Sequence, residues 1–190
     1  MSQSGTEFSS IYYSAAGIPP PTPRWYALHT KSNLEGRVAT QLEAKGIPNF
    51  LPAREEVHQW KDRKRKVAIP LFPGYLFVRM AENCSRLPIL QTPGVARIVG
   101  QGATPEPIPE SEIEAVRLVL ASGERCLAHP FLREGSWVQV TRGPLKGVEG
   151  FLVRIKKLSR VVISVNALSQ AVAVEVADRD VETVTKPVRR

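Results

Sequence analysis

The feature that most constrains this chain is a change of hydrophobic period near residue 121. Before it, Leu34, Val38 and Leu42, and later Ile113, Val116 and Leu120, recur at helical spacing, each set lining one face of a helix. Beyond it the pattern is strand-like throughout. Val172, Val174 and Val176 alternate with Ala173 and Glu175, and Val161-Val162-Ile163 adds β-branched density that favours a stable barrel. The 190 residues suffice for two small domains. The expected division is 24–121 and 134–186, joined by a linker at 122–133 that carries Gly, Pro and charge without a period. Residues 1–23, rich in Ser, Gly and Pro, read as a disordered tail.

Within the first domain, Trp25 to Thr30 reads as an aromatic-rich strand. Ser32 and Glu35 form a capping box for the helix that follows, and Gly46 with Pro48 stops it. Residues 55–60 and 66–72 read as strands flanking the basic run Lys61 to Lys66, and Tyr75-Leu76-Phe77-Val78 as a buried strand. A short helix fits between Cys84 and Gln91, limited by Pro88. A second capping box, Ser111 with Glu114, opens the last helix. The fold class expected is α+β: an antiparallel α/β sandwich related to the ferredoxin-like plan, followed by a small all-β barrel. Strands of that barrel are expected at Trp137–Val140, 151–155, 160–165 and 171–176.

A net charge of +8 and a pI near 9.8 favour an anionic partner such as nucleic acid or a nucleoprotein machine. Cys84 and Cys126 are isolated, as expected of reduced thiols in a cytoplasmic protein, and no secretory or membrane-spanning segment is recognisable. There is no nucleophile elbow, P-loop, or HExxH or CxxC motif, and Gly100-Gln101-Gly102 lacks the third glycine of a dinucleotide fingerprint. His29, His58 and His129 are too scattered to suggest a metal site. No catalytic residue, metal or cofactor is expected.

Three signatures stand in order along the chain: Trp25-Tyr26-Ala27-Leu28 with Glu35-Gly36-Arg37-Val38; Phe72-Pro73-Gly74-Tyr75-Leu76-Phe77-Val78; and Gly135, Val138, Val140, Gly143-Pro144, Gly147 and Gly150. Together they resemble the NusG family of transcription elongation and antitermination factors over residues 24–186, the last set resembling a KOW motif in which Gly143, Gly147 and Gly150 fit tight turns between strands. The resemblance implies that Phe72 and Tyr75, on the turn made by Pro73 and Gly74 and with Trp25 as a neighbour, grip the clamp helices of the largest RNA polymerase subunit. Trp25 and Phe77 themselves read as core. The cations Lys61, Arg63, Lys64, Arg65 and Lys66 are either a solvated hairpin tip or a contact to upstream or non-template DNA phosphates. His29, at the strand end, is a candidate for contact with DNA or polymerase, or a structural residue.

The resemblance further implies that the KOW domain recruits a partner, Rho or a NusE-type ribosomal protein. Where general NusG proteins tend to carry a Phe-Gly-Arg-like turn, this chain has Leu168-Ser169-Gln170. Losing an aromatic and a cation there points to a specialised paralogue of the RfaH or capsule-regulator kind. The protein is expected to act as a monomer, away from membranes, reducing pausing and modulating termination. A ribosome- or RNA-binding KOW protein is the alternative.

Overall fold

The computed structural model describes residues 22–60, 63–82, 84–124, 126–129, 135–155 and 158–185. The expected tail therefore lies almost wholly outside the described residues. The first domain runs β1 (Arg24–Thr30), α1 (Glu35–Ala44), β2 (Asn49–Phe50), β3 (Ala53–Trp60), β4 (Arg63–Pro70), β5 (Tyr75–Met80), α2 (Leu87–Leu90), β6 (Val95–Ile98), β7 (Gly100–Gln101), β8 (Thr104–Pro105), β9 (Pro107–Ile108) and α3 (Glu110–Ser122). Strands β2, β5, β1 and β6 lie side by side in that order, all antiparallel, and β9 pairs with the start of β1.

Pleating sends alternate residues of β1 to opposite faces. Tyr26 and Leu28 join Leu76 and Val78 beneath Val38 and Leu42 of α1. Trp25 and Ala27 point the other way, into a core with Phe77 and with Ile113 and Val116 of α3. Helix α1 stops where the sequence indicates. Gly46 takes φ +69, its N–H donates to Glu43 O at 2.8 Å, and Ile47 N–H donates to Leu42 O at 2.9 Å, the bond pair of a Schellman ending.

Two local expectations fail. Neither capping box forms: Leu34 and Pro109 hold the N-cap positions, with no side-chain capping bond at either. Ser111 falls inside α3, and Glu114 turns to Arg117 2.6 Å away, one turn on. In addition, β3 and β4 pair with each other and, among the described residues, with no strand of the main sheet. The basic run is thus largely strand rather than tip, since Arg63 to Lys66 belong to β4.

The second domain is one antiparallel sheet in the order β10-β14-β13-β12-β11-β15. Its strands are β10 (Cys126–His129), β11 (Ser136–Val140), β12 (Glu149–Ile155), β13 (Leu158–Val165), β14 (Gln170–Val176) and β15 (Val181–Thr183). Strand β10 lies inside the segment 122–133 read as linker. It pairs with the edge of β14, Cys126 opposite Val174, and four residues are too few to show a period. Gly143 and Gly147 take the positive φ that their turn requires. Gly150 serves a different need from the turn expected of it: it sits within β12, where a Cβ would overlap Val162 O and lie 2.8 Å from Val161 Cγ1. Glycine there lets β12 and β13 close together.

The two domains share a core. Ile113, Val116 and Val119 of α3 belong to one buried cluster with Phe72, Phe77, Val161, Ile163, Val172 and Val174. Polar contacts border it: Asn166 donates from Nδ2 to Glu112 Oε1 at 2.9 Å and from its backbone N–H to Oε2 at 3.3 Å. Arg54 Nη1 donates to Cys126 O at 2.6 Å.

Candidate functional site

Phe72, Pro73, Gly74 and Tyr75 make the tight turn between β4 and β5, closed by Tyr75 N–H donating to Phe72 O at 3.0 Å. Pro73 presets φ at the second position, and Gly74 at the third takes φ +81, the requirement of a type II turn. The turn is fastened on both sides of Gly74. Its carbonyl accepts from Thr30 N–H at 2.8 Å, and its N–H donates to Glu35 Oε1 at 2.7 Å.

This geometry sorts the aromatic residues by depth. Phe72 has no exposed surface and meets Phe77 edge-on at 5.9 Å, and Phe77 stacks on Phe50 at 6.1 Å. Tyr75 is partly exposed and lies opposite His29 across β1 and β5, their rings 5.1 Å apart. Pro73 is exposed. The accessible surface of the turn is therefore Pro73, Gly74, Tyr75 and His29, with Phe72 as its foundation.

Trp25 does not adjoin Tyr75. It pairs with Arg79, whereas Tyr75 pairs with His29, four residues along β1 and about 13 Å at ordinary strand rise. Trp25 is 4% exposed, and its Nε1 donates to Glu110 Oε1 at 3.0 Å. The Arg117 guanidinium lies 5.1 Å from the Trp25 ring centroid and 5.2 Å from that of Phe50. It is a core residue fastening α3 to the sheet, as the sequence suggested.

Of the basic run, Lys61 and Asp62 lie outside the described residues, as do the side chains of Arg63, Lys64, Arg65 and Lys66. Their strand is in register to the end of the hairpin, Trp60 opposite Arg63. In the second domain, Asn166 to Leu168 form a 3-10 turn and Ser169 takes the left-handed φ of 51°. Leu168 is buried, Ser169 is exposed and Gln170 opens β14. Through Asn166, this turn is tied to α3 of the first domain.

Sequence reasoning missed what two buried carboxyls bind. Glu35 was noticed, but as a helix cap. Glu112 carried no signal: in sequence it is one more acid in a helix's first turn.

The family model described as "Transcription termination factor nusG" matches residues 23–117, half of the chain. The chain belongs to the NusG family. It is 30% identical over 173 residues to the transcription termination/antitermination protein NusG of Pasteurella multocida, covering 84% of this chain and 94% of that one. It is 33% identical over 150 residues to the NusG of Thermus thermophilus, covering 69% and 82%. With the Escherichia coli K12 protein the figures are 30% over 177 residues, 85% and 97%. The solved structure titled "Domain interaction in Thermotoga maritima NusG" covers 86% of this chain and 98% of its own, at 23% identity and a TM-score of 0.53, which establishes a common fold. The protein is thus a transcription elongation and termination factor, built as an α+β domain followed by a β domain. NusG-family factors as a class are not enzymes. No helix among the described residues is long and apolar enough to cross a membrane.

Proposed function

We propose that this NusG-family factor docks on the clamp helices of the largest RNA polymerase subunit through the surface made by Pro73, Tyr75 and His29, reducing pausing and modulating termination in the cytoplasm. The observation that carries this reading is the fastened turn, which holds a partly exposed Tyr75 against His29 above a fully buried Phe72. An aromatic anchor already rigid before binding loses little entropy on association, and such anchors dominate helix-in-groove contacts. The β3–β4 hairpin brings Arg63 to Lys66 to its end, where they supply sequence-independent attraction for upstream or non-template DNA.

The second domain recruits another factor weakly. Leu168 is turned inward and Ser169 and Gln170 offer neither ring nor cation, so Rho or a NusE-type ribosomal protein finds a reduced surface. This suits a member dedicated to particular operons. The short connection from Ser122 to Cys126 keeps this domain close to the first, raising the effective concentration of whatever it binds.

The deciding experiment measures binding of the full chain, as a monomer, to core RNA polymerase. Tyr75→Ala is expected to weaken it at least about tenfold, the scale of an anchoring residue, while the chain stays folded at the assay temperature by circular dichroism. Unchanged affinity overturns the docking assignment. Salt-sensitive binding to structured RNA, with no polymerase affinity, would instead favour an RNA-binding role.

A further inference from the structure

We infer that Glu35 is the positioning residue of the docking turn, holding Gly74 and with it Tyr75 in the orientation that polymerase meets. The inference rests on the docking assignment above and adds a residue to it. Glu35 stands at the first position of α1, 39 residues from Gly74 in sequence, and its side chain is 6% exposed. A buried carboxyl must find donors, and the donor it finds is the Gly74 N–H at 2.7 Å. In a type II turn that N–H belongs to the third residue and takes no part in the closing bond, which runs from Tyr75 N–H to Phe72 O. Without Glu35, the inner N–H of the turn has no partner among the described residues.

The consequences follow from the two peptide units that meet at Gly74. On one side, Thr30 N–H fixes the Gly74 carbonyl to β1; on the other, Glu35 fixes its N–H to α1. Two bonds at one residue, to two different elements, leave its peptide planes no freedom to flip. Pro73 has its φ set by its ring, so the remaining soft torsions of the turn are the ψ of Pro73 and both torsions of Gly74, the residue with the widest conformational range. Glu35 removes that freedom where it is greatest. Because Tyr75 is the next residue, and its ring is held 5.1 Å from that of His29, a turn released at Gly74 would let the ring wander from the docking surface. The side chain thus acts on polymerase binding without reaching the partner itself.

The test compares Glu35→Gln, Glu35→Ala and Tyr75→Ala in the full chain. Three quantities are read: affinity for core RNA polymerase, melting temperature, and exchange protection of the Gly74 amide by nuclear magnetic resonance. Glu35→Gln keeps an oxygen acceptor and is expected to retain protection and most of the affinity. Glu35→Ala is expected to lose the protection and about tenfold in affinity, the scale of one hydrogen bond to a charged group. Rescue by glutamine separates positioning from any need for the charge. Should Glu35→Ala fail to fold, Glu35→Asp, one methylene short of the Gly74 N–H, replaces it with the same expectations. If protection is lost while affinity stays, and Tyr75→Ala still weakens binding, the positioning role is overturned and the docking site stands. If glutamine is as weak as alanine, the acceptor role is overturned. If Tyr75→Ala binds like the unaltered chain, it is the docking assignment itself that falls.

Discussion

Two turns, one in each domain, occupy the positions at which the NusG resemblance places partner contacts, and they are built in opposite ways. At Phe72–Tyr75 the residue with positive φ is a glycine, its polar groups are fastened within its own domain by Glu35 and Thr30, and an aromatic ring is left partly at the surface. At Asn166–Gln170 the left-handed residue is Ser169, the apolar residue Leu168 is folded inward, and the polar contact goes to Glu112 of the other domain. One turn is organised to present a surface; the other is spent on holding the two domains together. Of the two, only the first turn leaves an aromatic ring partly exposed; the second exposes Ser169.

The largest effect that bears on this contrast is Phe72→Ala, expected to cost about 3–5 kcal/mol as a fully buried ring is removed, measured by chemical denaturation. Because Phe72 lies in the core common to both domains, the chain should unfold in one transition that shifts as a whole. Two transitions, with the first alone displaced, would show that the domains melt separately and would break the picture of the second turn as an interdomain tie. Asn166→Ala is a smaller and sharper probe. It leaves the nearly buried Glu112 short of its 2.9 Å donor and should destabilise by about 1–3 kcal/mol, with changed amide shifts in α3. Shifts confined to the second domain would mean that the contact is dispensable to the first. Smallest is Ser169→Gly, which relieves a left-handed residue and should stabilise by up to about 1 kcal/mol, read as a raised melting temperature. No gain would show that Ser169 is held there without strain.

Much of the fold was readable because it depends on short-range periods. The alternation of Val172, Val174 and Val176, the spacing of Leu34, Val38 and Leu42, and the stop at Gly46 each concern neighbours within a few residues, and each produced the element expected. What failed was of a different kind. Ser32 and Glu35 fit a local capping pattern, yet Glu35 turns to a partner 39 residues away. Strand β10 is a strand because β14 offers an edge to it, and nothing in Cys-Leu-Ala-His announces that edge. Gly150 was recognised as needed, but the need is the closeness of β13 rather than a turn. Trp25 was read as core and is buried, but the closeness to Tyr75 that the resemblance implied is absent, because Trp25 pairs with Arg79 at the other end of the β1–β5 register.

By itself, then, the sequence determined most of the longer helices and strands, the α+β character of the first part and the all-β character of the second, and that a Pro-Gly turn would carry aromatic residues. These are consequences of side-chain period and of the backbone limits of proline and glycine, which act locally. Tertiary structure alone decided which ring of that turn is buried and which is exposed, that Glu35 fastens it, and that Asn166 reaches Glu112 across the two domains. The reason is physical: burial and the pairing of buried polar groups are set by elements distant along the chain that happen to pack together, and a buried carboxyl takes the donor that packing places beside it.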